Sequence, residues 1–251
     1  MFGIDLSSGA KQLIAEVEEA FGKPVLEREV TTWEPSHYGE SSVAEDGTPT
    51  VTINSATGKT EATVVHELFH LKLRVEGFPI LAYQFPPGQN TQANREFMSW
   101  VGAHLRDPIQ HSIFYPLMRD IGVDPDAELK TELDQALARN EFLNLNSATK
   151  DTALALYYLK AALQLNDDEM LRGIVRWYKK KGWRDSLTLG KKLSQIVLNA
   201  EPQTPDEEIR VFVRCMNLLL RGLAKFEVVE WRNQVMGTFS QRAVLIRVLP
   251  P

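Results

Sequence analysis

The stretch that most constrains the fold runs from Thr60 to Gly77, with "TVVHELFHL" at its centre. Val64, Val65, Leu68, Phe69, Leu71 and Leu73 recur at helical spacing and predict a buried helix from about Glu61 to Glu76. Thr60 supplies a hydroxyl that can cap its start, and Gly77 is placed to turn the chain left-handed at its end. Inside this apolar run stand His66, Glu67 and His70. Polar side chains on a buried helix cost stability unless each is satisfied. The segment therefore holds either a hydrogen-bonded core cluster or a site for a ligand.

The rest of the chain is built to bury such a helix. It has 251 residues, 43% hydrophobic and 24% charged, which suits one large domain or two small ones. The formal net charge of -5 argues against a general nucleic-acid binder, whose surface carries a basic excess. The longest basic run, Lys179-Lys180-Lys181 with Arg184, has Trp177, Tyr178 and Trp183 around it. Aromatics among cations can stack on bases, but the run also reads as a helix end whose cations suit the C-terminal dipole. Cys215 is the one cysteine and lies in an apolar helical stretch, so neither an intramolecular disulfide nor a cysteine-rich metal site forms. The N-terminal stretch lacks a basic start followed by an apolar run. No apolar run reaches the roughly 18 residues of a membrane span. A cytoplasmic location without a membrane partner is the expectation.

Residues 7–22 predict a first helix, with Ser7 or Ser8 as cap and Gly22 as stop. "KPVLEREVTTW" and "TPTVTIN" read as strands, with a turn-rich "HYGESSVAEDG" between them. After the motif helix, "FPILAYQFPPGQNT" reads as a long connection. Helix resumes over 92–106, and Asp107-Pro108 predicts a fresh start, with proline at the first helical position. Gly122 and Asp124-Pro125 close that segment. From about residue 125 the pattern is almost wholly helical, and "AVLIRVLPP" is a candidate final strand. The expected fold class is α+β. A small sheet and the motif helix occupy an N-terminal domain of residues 1–118, and a mostly helical domain of residues 119–251 follows.

His66 and His70 match H-E-x-x-H. Positions i and i+4 of a helix lie about 40° apart and one turn along, so both imidazoles leave one face and can share a zinc ion. Glu67 points about 100° round from His66. It is placed to take a proton from a zinc-activated water and to pass it to a leaving amine. A hydrolytic zinc site usually has a third protein ligand. Glu96, 26 residues after His70, is the leading candidate, with His104, His111 and Glu76 as alternatives. Whichever of His104 and His111 is not a ligand can orient one or stabilise an oxyanion, and Tyr115 can do the latter. His37, in "PSHYGE", reads as a loop residue.

On His66, Glu67 and His70, with Glu96 downstream, residues 10–118 resemble the zincin superfamily of zinc metallopeptidases on its gluzincin side. The strand ending in Asn54, the loop and the motif helix also resemble the ImmA/IrrE-type intracellular peptidases. Two departures from that group are Gln92, where its glutamate is expected, and Phe69, where it has glycine. The resemblance implies a small twisted sheet whose edge strand takes up substrate, here "PTVTIN", by strand addition. It implies zinc-dependent hydrolysis of a peptide or protein substrate. The alternative is a metal-binding regulatory or interaction module with little catalysis, motivated by the helical second half.

Overall fold

The computed structural model describes residues 1–34, 37–126, 129–131, 147–237 and 239–251. Among them the chain is α+β and divides into two compact units, which cut across four continuous elements. The first comprises Met1–Ile80, Phe114–Pro125 and Trp231–Val244, and the second Leu81–Ile113, Asp126–Glu230 and Leu245–Pro251.

In the first unit, α1 (Ser8–Phe21) starts on the Ser7 hydroxyl and ends on left-handed Gly22, as its sequence predicts. Three short strands follow: β1 (Leu26–Val30), β2 (Gly39–Val43) and β3 (Pro49–Asn54). They form a sheet in the order β1-β3-β2, with β1 parallel and β2 antiparallel to β3. The strand read as a substrate-binding edge, "PTVTIN", is therefore the central one. Its backbone is engaged on both sides, so strand addition to it is closed; β2 came from the segment read as turn-rich. Val51 and Ile53 of β3 are fully buried. Asn54, 1% exposed, donates from its amide to the carbonyls of Glu34 and His37 and ties both residues to the strand end.

α2 (Glu61–Val75) is the motif helix. Its N-cap Thr60 accepts from the Thr63 N–H at 3.0 Å. At its other end Gly77, at φ 87°, donates to Arg74, and Phe78 donates to Leu73. That paired closure is what a glycine in the left-handed region permits. Val64, Val65, Leu68 and Leu71 are fully buried, and α2 packs on α1, β2 and β3. Ser7 also donates its N–H to Glu61 at 2.7 Å, joining the starts of α1 and α2.

β4 (Ile80–Gln84) lies in the segment read as a connection. α3 (Gln92–Asp120) then runs for 29 residues without a break at Pro108 or Pro116. The expected new helix at Asp107-Pro108 is thus one continuous helix. Each interior proline removes one helix hydrogen bond, but Val101, Leu105, Ile109, Phe114 and Met118, all fully buried, keep an apolar stripe on both sides of them. Gly122, at φ 83°, closes the segment as expected.

The second unit holds α4 (Ser147–Gln164), α5 (Asp168–Lys181), α6 (Arg184–Ala200) and α7 (Pro205–Leu219). The helical reading of residues 127–128 and 132–146 lies outside the described residues. Leu154, Tyr158, Ala161, Ile174, Tyr178 and Leu187 form its core. α4 and α6 pack closely at Gly190, where a Cβ would stand 2.8 Å from the Ala155 carbonyl. Glu208, fully buried, is held by Arg106 at 2.7 Å and by the Gln110 amide at 2.9 Å. Lys179, Lys180 and Lys181 fill the last turn of α5 before left-handed Gly182, the place the helix-end reading gave them. Cys215 on α7 is buried, and burial pushes its thiol up to about 12. The chain ends in two long strands, β5 (Lys225–Met236) and β6 (Phe239–Leu249), in a sheet of order β4-β6-β5. β6 matches the expected final strand. Among the described residues no helix is long and apolar enough to cross a membrane.

Candidate metal centre

His66 and His70 sit one turn apart on α2, half-buried, with their Nε2 atoms 3.2 Å apart. Two ligands of a tetrahedral zinc with bonds of about 2.0–2.1 Å lie roughly 3.3 Å apart. The pair therefore already has the separation of two ligands on one ion. A third imidazole completes the group: donor atoms of His66, His70 and His111 all lie within 4.8 Å of one another. Three histidines gathered this way could hold a metal ion.

α3 supplies the third nitrogen and much of the wall. His111, 5% exposed, lies on the same unbroken helix as Phe114 and Tyr115, three and four residues on. The ring of Phe114 stands edge-on to both motif imidazoles, at 5.4 Å from His66 and 5.0 Å from His70. It also stacks on Phe69 at 5.4 Å, within 3° of parallel. Tyr115 meets His66 edge-on at 5.9 Å and carries Arg119 over its own ring. Aromatic walls exclude water from one side of the nitrogens and hold their rings in place.

Glu67 follows His66 and is 6% exposed. A Cβ built on Gly39, the first residue of β2, would come within 3.1 Å of its Oε1. The backbone of β2 thus closes against the carboxylate.

The other residues expected at the site lie elsewhere. Glu96 is exposed in the first turns of α3 and accepts from the Gln92 amide at 2.7 Å. It precedes His111 by 15 residues, about 22 Å along a helix rising 1.5 Å per residue. Among the described residues the group that could hold an ion includes His111 and not Glu96. His104 is exposed; its Nδ1 pairs with the Trp100 carbonyl at 2.9 Å and its ring lies on Trp100. Glu76 is the C-cap of α2, where burial raises its carboxyl pKa above the ordinary value and Lys72 opposes the rise. His37 is exposed and stacks on Trp33. Sequence reasoning missed Phe114, Gly39 and Gln164, whose amide meets His111. Phe114, one turn after His111, was the one with a readable spacing.

No family model, curated protein or solved structure matches the chain.

Proposed function

We propose that the chain is a zinc-dependent peptidase in which His66, His70 and His111 hold the ion and Glu67 is the general acid-base. The observation that carries this reading is the 3.2 Å separation of the two motif nitrogens with a third imidazole beside them and a buried carboxylate on the same turn. The donor chemistry supports zinc, which takes neutral imidazole nitrogen readily in hydrolytic sites. Bound zinc supplies Lewis acidity, which acidifies water and polarises a carbonyl oxygen.

Glu67 accepts a proton from the attacking water as its oxygen adds to the peptide carbonyl carbon. It then returns that proton to the leaving nitrogen as the C–N bond breaks, giving a carboxylic acid and an amine. Burial of Glu67 keeps bulk water from competing for that proton. Tyr115, whose ring meets His66 edge-on, would donate a hydrogen bond to the developing oxyanion. The reading follows the zincin resemblance with a departure, since a histidine replaces the gluzincin glutamate as third ligand. A neutral donor set leaves the ion's charge undiminished and strengthens its Lewis acidity. With β3 central in its sheet, an extended substrate would add to the outer edge of β2, whose first residue abuts Glu67.

Purified protein is expected to carry about one zinc per chain by elemental analysis. His66→Ala and His111→Ala lose it, Glu96→Ala keeps it, and Glu67→Gln keeps it while ending cleavage of a peptide library. Retention of zinc by His111→Ala with loss by Glu96→Ala would overturn the ligand set. Tight zinc without turnover of any library member would favour a metal-binding regulatory module.

A further inference from the structure

Gln164 is the last residue of α4, is 2% exposed, and has its amide Nε2 2.7 Å from Nδ1 of His111. A ring nitrogen engaged at that distance is closed to an ion, which leaves Nε2 as the donor of His111. An imidazole binds a metal through a bare nitrogen, so its one proton must then sit on Nδ1 and needs an acceptor facing it. A primary amide offers two faces to such a ring. Its NH2 group donates to a bare Nδ1 and selects the tautomer with the proton on Nε2, closed to metal. Its oxygen accepts from Nδ1–H and selects the tautomer with Nε2 bare. A half-turn about the last side-chain bond exchanges the two.

We propose that Gln164 is a positioning residue of the metal centre: its amide turns its oxygen to Nδ1 of His111 when an ion binds, fixing that ring's tautomer and orientation. The ring proton passes from Nε2 to Nδ1, so the imidazole stays neutral and no proton is lost. The inference rests on the metal reading above and is independent of hydrolysis. It gives the helical part of the chain a task at the site, because α4 supplies the group that makes His111 a ligand.

Zinc affinity of the full chain, measured against a chromophoric chelator, tests it. Gln164→Leu keeps the volume and removes the acceptor; its zinc binding is expected to weaken roughly 10- to 100-fold. Gln164→Glu keeps an acceptor in the same place and is expected to bind at least as tightly as wild type. Wild-type affinity in Gln164→Leu, or an equal loss in Gln164→Glu, overturns the proposal. A buried carboxylate can destabilise the metal-free chain, so the same question is also put to the unsubstituted protein. Histidine 15N shifts of the zinc-loaded chain are expected to show His111 protonated at Nδ1 and coordinated at Nε2. Coordination through Nδ1 overturns the proposal. A wild type that takes up no zinc removes the metal reading and this inference with it, whereas normal uptake with an indifferent Gln164→Leu removes this inference alone.

Discussion

A Cβ on Gly39 would stand 2.8 Å from Cγ2 of Thr63, 3.0 Å from Cγ of Glu67 and 3.1 Å from its Oε1. The backbone of Gly39 is not left-handed, so the demand for glycine there is one of space alone. Gly39→Ala must push either the carboxylate or α2, and overpacking of this kind costs about 1–3 kcal/mol. The three imidazoles lie on other residues, so zinc content is expected to stay at the wild-type level. Turnover of whichever peptide the wild type cleaves is expected to fall by at least about tenfold, the usual scale for misplacing a catalytic group. Unchanged turnover with zinc retained would mean that Glu67 needs no fixed wall. At this scale the sequence exposed what one helix fixes by itself. His66, Glu67 and His70 are one turn of α2, and their geometry follows from 3.6 residues per turn. His111, Gly39 and Gln164 reach the group through the packing of α3, β2 and α4, which no local spacing encodes. Glu96 led the candidates because the family pattern puts a glutamate on the next helix, and a continuous α3 carries it four turns away from His111.

Among the elements, α1 and α2 were legible to within a residue because Ser7, Gly22, Thr60 and Gly77 punctuate them. α3 was not, because Asp107-Pro108 is a local start signal overruled by a buried stripe on both sides. β4 was hidden between Pro79 and Pro86, and its partner β6 lies far along the chain. The end of α2 carries its own pH-dependent prediction. Burial raises the Glu76 carboxyl above its usual value despite Lys72, so the folded chain holds that proton more readily than the unfolded one. The resulting stabilisation is fully present below the unfolded pKa and lost as pH rises through the folded one. Ionised Glu76 also faces the negative end of the α2 dipole. Glu76→Gln is therefore expected to raise the melting temperature at pH 7 by roughly 1–2 °C. The gain should disappear below about pH 4, where the unfolded carboxyl is itself protonated. A gain of equal size at both pH values would show that the charge is not its source.

For the whole molecule, the test is whether the histidines form a binding site in the folded chain or a chance grouping on it. An ion that binds only the folded state stabilises it by about 2.7 kcal/mol at a hundred times its dissociation constant. For a chain of 251 residues that stabilisation corresponds to a rise of roughly 5–10 °C in melting temperature. The net charge of -5 would draw any divalent cation weakly to the surface, so the size of the shift alone does not locate the ion. Ligand chemistry does, because imidazole nitrogen favours zinc while magnesium favours oxygen. Zinc is expected to raise the melting temperature and a chelator to reverse the rise, while magnesium at the same concentration leaves it in place. The shift should vanish in His66→Ala and in His111→Ala and persist in Glu96→Ala. That combination requires α2 and α3 to present their nitrogens together in the native chain. A zinc shift that survives His111→Ala would instead place the ion on the motif pair and some other donor, and would return the third ligand to open competition.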